Sequence, residues 1–171
     1  GIIALKINEG DELIGVRLTN GEHDIFLATK GGKSIRFAES DIREMGRTAA
    51  GNIGIRMDSE DEVVGMEALL EGYTILTVTE RGFGKRTKTE EYRRQSRGGK
   101  GILTIKASDR NGPVVYSYQV NESDQLMIIT EHGKIIRLRV GDISVIGRNT
   151  QGVKLIDLNE GEKVVGVAKV M

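Results

Sequence analysis

Hydrophobic and polar positions alternate along this chain in short runs of six to eight residues, each closed by a glycine-bearing or acidic turn. The pattern recurs at a period of 50 to 51 residues when Gly1, Gly51, Gly101 and Gly152 are laid in register. The first run of each unit reads IIALKI, NIGIRM, ILTIKA and VKLIDL, and is followed by the turns NEGDE, DSEDE, SDRNG and NEGEK. A second run reads ELIGVRLT, EVVGMEAL, PVVYSYQV and KVVGVAKV. The third reads DIFLATK, TILTVTE and QLMIITE, ending in turns at Gly32, Gly82 and Gly133, and the fourth reads SIRFAE, GKRTKT and IIRLRV. Runs of this length, rich in β-branched residues and bounded by turn residues, predict strands joined as hairpins. No stretch of a dozen residues carries apolar positions at helical spacing. Only Ser40–Met45, Thr89–Gln95 and Val140–Ile146 suit a single helical turn.

Four short strands per unit of about 50 residues predict a propeller-like array of four-stranded antiparallel blades. The chain therefore divides into repeats 1–50, 51–100 and 101–151 with a half-repeat 152–171. If each blade joins the third and fourth strands of one unit to the first two of the next, the blades span Asp24–Leu69, Thr74–Val120 and Gln125–Val170. The hairpin Ile2–Thr19 is then left without partner strands, and open edges at both ends predict self-association, most simply as a dimer.

Composition agrees with turns and strands: 23 glycines against a single proline in 171 residues, and no cysteine. Disulfides and thiolate metal sites are thereby excluded. No apolar run approaches the roughly 18 residues of a membrane helix, and Gly1–Gly10 lacks a signal-peptide profile, so a cytoplasmic location and no membrane partner are expected.

The formal net charge is zero, yet Arg81–Lys100 holds eight basic residues against two acidic ones, a local +6 balanced by −6 elsewhere. Screening limits what a partner feels to charges within about 10 Å, so a local patch survives a neutral total. Two basic positions also recur. Arg36, Arg86 and Arg137 share one place in the fourth run, with Lys33, Lys85 and Lys134 nearby; Arg47, Arg97 and Arg148 share one place in the loops GRTAAG, SRGGKG and GRNTQG. Two explanations stand side by side: solvated positions retained from duplication, or a curved basic track for a bent polyanion such as duplex DNA. In Tyr92–Gly101 the consecutive glycines let backbone N–H groups approach a phosphate, bracketed by Arg97 and Lys100.

Other motifs carry less. GGKS (Gly31–Ser34) and GFGKRT (Gly82–Thr87) imitate a phosphate-binding loop, but Leu27 and Arg86 stand at required positions and no helix follows, so both read as hairpins. His23 and His132 lack partner ligands, and Asp58–Glu62 lacks calcium-loop spacing, so no metal and no cofactor are expected. Nothing beside Tyr73, Tyr92, Tyr116 or Tyr118 supplies a base or metal-binding carboxylates, and the chain reads as no enzyme by itself.

QSRGGKG (Gln95–Gly101) resembles the seven-residue glycine–basic box of the bacterial gyrase A C-terminal domain, with Ser96 where the box carries a basic residue. GDELIGVRLT, IRFAESDIREMGRTAAG, VTERGFGKRT and ISVIGRNTQGV are similar to later blades of that domain, so the resemblance covers essentially the whole chain. It implies an all-β, propeller-like β-pinwheel of six blades around whose rim duplex DNA is wrapped without sequence preference. The parent it implies is an ATP-dependent type II topoisomerase that introduces negative supercoils, lies with the nucleoid, and carries its cleaving tyrosine and ATPase outside this segment. The implied partners are duplex DNA, the N-terminal part of gyrase A and the gyrase B polypeptide. The box, as the resemblance carries it over, is Gln95, Arg97, Gly98, Gly99, Lys100 and Gly101. The expected order of DNA contacts is Arg97 and Lys100, then Arg93, Arg94, Lys85 and Arg86, with Arg47 and Arg148 extending the path. Two alternatives remain: the corresponding C-terminal domain of topoisomerase IV, which generally carries degenerate boxes, and a propeller that serves protein interaction.

Overall fold

The computed structural model describes Gly1–Val170. Eleven strands form three antiparallel sheets: β1 (Asp24–Thr29), β2 (Lys33–Ala38), β3 (Val63–Ala68), β4 (Thr74–Thr79), β5 (Phe83–Lys88), β6 (Ile102–Leu103), β7 (Val114–Val120), β8 (Gln125–Thr130), β9 (Ile135–Arg139), β10 (Val153–Lys154) and β11 (Val164–Val170). The only helical pieces among the described residues are three-residue 3-10 turns at Glu39–Asp41, Thr89–Glu91 and Val140–Asp142. The tight turns follow from the glycines at the hairpin tips: Gly32, Gly82 and Gly133 take φ of 86°, 84° and 82°, which side-chain-bearing residues rarely adopt.

Strand order corrects one expectation. The sheets run β3–β1–β2–β6, β10–β5–β4–β7 and β11–β8–β9. The third, fourth and second runs pair as expected, but the first run does not complete the blade beside it. It crosses back to the preceding one, so that Ile102–Leu103 pairs with Ser34 and Lys33, and Val153–Lys154 with Gly84 and Phe83. The reason lies in the loop before it. After the second and third 3-10 turns the chain follows the previous blade's fourth strand in parallel, with Gln95 N donating to Arg36 O and Ile146 N to Arg86 O, both at 2.9 Å. Gly101, at φ 73°, then crosses over Ser34 so closely that an added Cβ would lie 2.3 Å from the Ser34 carbonyl oxygen. The expected Ile2–Thr19 hairpin is also corrected. No strand forms there, and Lys6 N instead donates to Ala49 O at 3.2 Å.

The apolar cores lie between blades as well as within them. Phe26 and Ala28 of β1 meet Ile75 of β4 and Tyr92, with the Phe26 and Tyr92 rings edge-on at 5.1 Å. Leu76 and Val78 of β4 meet Leu126 and Ile128 of β8. A central blade thus has both faces covered, and alternation along its strands no longer separates core from solvent.

Candidate nucleic-acid interface

The fourth-strand cations are placed by this stacking. Arg86 lies in β5, and its Nε donates to Ile143 O at 2.8 Å while Nη1 meets Glu122 Oε2 at 3.3 Å. Lys85 is fully buried; its Nζ donates to Gly147 O at 2.7 Å, Arg148 O at 2.6 Å and Thr150 Oγ1 at 3.0 Å. Burial brings the Lys85 ammonium down to about 8, with the Glu91 charge opposing the shift and the Arg148 charge adding to it. Both cations were expected to reach DNA; the structure places them inside the blade junction, bonded to its carbonyls. Arg36 is half-buried, its Nε donating to Asp24 Oδ2 at 2.7 Å and its Nη1 to Thr89 O at 2.9 Å and Tyr92 O at 3.3 Å. Arg137, at the same register, is exposed and has no hydrogen-bond or ion-pair partner among the described residues. Lys33 is exposed in a cleft with Asp58, Glu60 and Asp61, and Lys134 Nζ donates to Asp157 O at 2.6 Å.

The loop arginines share a second structural duty. Arg47 Nη1 donates to Ile3 O at 3.1 Å, Arg97 Nη1 to Ile53 O at 2.6 Å and Arg148 Nη1 to Leu103 O at 2.6 Å. Those carbonyls occupy the same repeat position, so each arginine fastens the first run of its own unit. Arg97 Nε also donates to Asp41 O at 3.1 Å. Arg94 is tied to the preceding blade by an ion pair from Nη2 to Asp24 Oδ1 at 2.5 Å. Burial disfavours ionisation of Asp24, but Arg94 and Arg36 outweigh it and hold the carboxyl below its ordinary value of 3.8.

The box itself is a fastened loop. Gly98 (φ 79°) donates its N–H to Gly54 O at 2.7 Å, and Gly99 O accepts from Arg56 N at 2.9 Å. The side chain of Gln95 lies against Gly99, its Nε2 buried without an acceptor. Arg93 and Lys100 are exposed, and neither has a side-chain partner among the described residues. Sequence reasoning did not select exposed Lys88, Arg43 and Arg56. Lys88 was signalled by the +6 run, and Arg43 by its register with Arg93; Arg56 had no signal. The imitation phosphate loops form the β1–β2 turn and part of β5. Tyr92 is buried with its hydroxyl 2.7 Å from Thr104 Oγ1, and burial pushes it up to about 12. No group of three or more His, Cys, Asp or Glu suited to a metal occurs among the described residues.

The family described as "DNA gyrase C-terminal domain, beta-propeller" matches residues 1–20, 23–69, 73–121 and 124–171. The DNA gyrase A polypeptide of Salmonella typhimurium is 49% identical over 170 residues, 99% of this chain and 19% of that protein. Its counterpart in Staphylococcus aureus is 49% identical over 172 residues, 99% of this chain and 19% of the relative. The chain thus spans about a fifth of these curated relatives. Among solved structures, a C-terminal domain of DNA topoisomerase IV superposes with a TM-score of 0.91 at 27% identity, covering 98% of this chain and 52% of that one. A DNA gyrase A C-terminal domain gives 0.88 at 25% identity, covering 100% and 58%.

Proposed function

The chain belongs to the DNA gyrase C-terminal domain family, and on that premise we propose that it binds duplex DNA without reading sequence and holds it in a curve along the blade edges. The parent it serves is a type II topoisomerase that introduces negative supercoils in the cytoplasm, working with the N-terminal part of gyrase A and with the gyrase B polypeptide. Strand cleavage and ATP hydrolysis belong to those other parts, and this segment supplies DNA contact alone. One observation carries the reading: Arg93 and Lys100 stand exposed on a glycine loop that Arg97 and the backbone bonds of Gly98 and Gly99 hold fixed. On a loop whose backbone is already held, phosphate contact costs only the ordering of the side chains, and none of these cations lies on a groove-reading helix.

Burial of Lys85 and Arg86 shortens the contact set to Arg93, Lys100 and the remaining N–H groups of Arg97, extended by Arg47 and Arg148. With about four phosphates neutralised, affinity falls roughly a hundredfold between 50 and 200 mM salt. Anisotropy titrations on two unrelated duplexes test this, with equal affinities expected. Arg93→Ala with Lys100→Ala is expected to lower the salt slope by about two without moving the melting temperature, since exposed charges contribute little to folding. Binding that ignores salt, or none at 50 mM, refutes the proposal. The superposition on a topoisomerase IV domain favours one second reading, the corresponding domain of that enzyme. Installing the same substitutions in the parent separates the two: loss of negative supercoiling with relaxation intact marks gyrase.

A further inference from the structure

The peptide that joins Gly147 to Arg148 is gripped by opposite charges at its two polar groups. Lys85 Nζ, reaching out of β5, donates to Gly147 O at 2.7 Å, and also to Arg148 O at 2.6 Å and Thr150 Oγ1 at 3.0 Å. Glu91 Oε1, from the 3-10 turn ahead of the box, accepts from Arg148 N at 3.2 Å. The Glu91 charge in turn favours the protonated form of Lys85. Arg148 Nη1 donates to Leu103 O at 2.6 Å, just past Gly101. Arg148 is thereby tied to both ends of the box loop, its backbone to the turn before it and its guanidinium to the run after it. The preceding junction is built differently. Ile35 and Asp41 stand in the registers of Lys85 and Glu91, and Arg97 Nε donates to the Asp41 backbone carbonyl at 3.1 Å.

Charge alone does not account for Glu91. It is exposed, two positions before Arg93, and a carboxylate there repels a phosphate backbone. We propose that Glu91 is a positioning residue for the DNA path: with Lys85 it holds the Arg148 loop against the box loop, so that a duplex on Arg93 and Lys100 meets Arg148 next. This role rests on the DNA-binding reading. The one carboxylate then has two effects on binding, of opposite direction. Its charge opposes DNA through space, and its oxygen favours DNA through Arg148. Removing the charge while keeping the oxygen separates the two.

Glu91→Ala and Glu91→Gln in the full chain test the proposal by two readouts, amide hydrogen exchange at Arg148 without DNA and anisotropy titration of a duplex across salt. Glu91→Ala is expected to speed exchange at the Arg148 amide by about tenfold, since its acceptor is gone. It is also expected to weaken duplex binding about threefold to tenfold and to lower the salt slope by about one, as Arg148 leaves the path. Glu91→Gln keeps an acceptor oxygen, so exchange stays close to that of the unmodified chain and affinity is equal or higher. Added to Arg148→Met, Glu91→Ala is expected to strengthen binding, because only the loss of repulsion remains. Binding is read well below each variant's urea midpoint, so that a fall in affinity reports the loop and not unfolding. Unchanged exchange at Arg148 in Glu91→Ala overturns the grip. Tighter binding by Glu91→Ala, equal affinities of the Ala and Gln variants, or the same weakening in the Arg148→Met background overturns the positioning role. An unmodified chain that binds no duplex refutes the DNA reading and this role with it, while faster exchange in Glu91→Ala then still shows the grip to be real.

Discussion

Replacing Gly101 by alanine is expected to cost much more than the same change at Gly51, although the two occupy the same repeat position and both have positive φ, 73° and 99°. Backbone strain is common to both, about 1–2 kcal/mol for an L-residue held left-handed. At Gly51 nothing lies within 4 Å of the new Cβ, so strain is the whole cost. At Gly101 the Cβ would sit 2.3 Å from Ser34 O and 3.1 Å from Ile55 Cδ1. Ser34 O belongs to β2, and its retreat breaks the Ser34–Ile102 pairing and the bond from Ser34 Oγ to Ile102 O. Losing about two hydrogen bonds at roughly 1 kcal/mol each brings the total to about 3–4 kcal/mol. For a domain of this size that lowers the melting temperature by roughly 6–16 °C. Urea unfolding of both variants, with slopes compared so that only midpoints are read as stability, measures the difference. Equal destabilisation by Gly101→Ala and Gly51→Ala refutes the crossing argument. If the difference holds, loss of DNA binding in a Gly101 variant reports the fold before it reports phosphate contact.

Lys85→Met leaves the carbonyls of Gly147 and Arg148 and the Thr150 hydroxyl without their donor, and is expected to destabilise the chain by about 2–3 kcal/mol in urea unfolding. Because the folded Lys85 has its pKa lowered to about 8 from 10.5, the unfolded chain holds the proton longer. The unmodified chain therefore gains stability relative to Lys85→Met between about pH 8 and 10.5, and a gap that stays flat refutes the burial argument. Asp24→Asn is expected to cost about 1–3 kcal/mol at pH 7, since it leaves Arg36 and Arg94 without their carboxylate. The folded Asp24 has a depressed pKa, so this contribution is present above the unfolded value near 3.8 and is lost as pH falls through the folded one. The gap between the two proteins at pH 7 is expected to shrink on acidification, and an unchanged gap at about pH 2–3 refutes it.

Strands and hairpin turns were legible because their causes are local: alternation along the run and glycine where φ turns positive. The destination of the first run was not. ILTIKA presents the same face to either neighbouring blade, and nothing within it says that Ile102 pairs with Ser34, 68 residues earlier. The signal that existed was the glycine heading each unit, which read as a turn and is also a crossing point. The fate of the cations was obscured by another cause. Lys85 and Arg86 are neighbours on a strand, so alternation points them to opposite faces and suggests that one meets solvent. In a blade packed on both sides each face is an interior, and the backbone carbonyls of the next blade's loop supply the acceptors that make such burial tolerable.

Recurrence of arginine in this chain therefore has an architectural cause that neither a DNA track nor inherited solvated positions supplies. Arg47, Arg97 and Arg148 repeat because each unit's first run needs a donor at one carbonyl; Arg36 and Arg86 repeat because each junction needs a donor at one turn. On the proposed function, DNA contact rests instead on cations that are not common to all three units. Lys100 corresponds to Ala50 and Gln151 in the other units, and Arg93 to Arg43 and Ser144. Architecture asks for no charge at either place, and both side chains stand in solvent. Of the three loops, the middle one carries both charges, so the proposed phosphate contact concentrates there, and Arg47 and Arg148, already committed to a carbonyl, would extend that path without anchoring it.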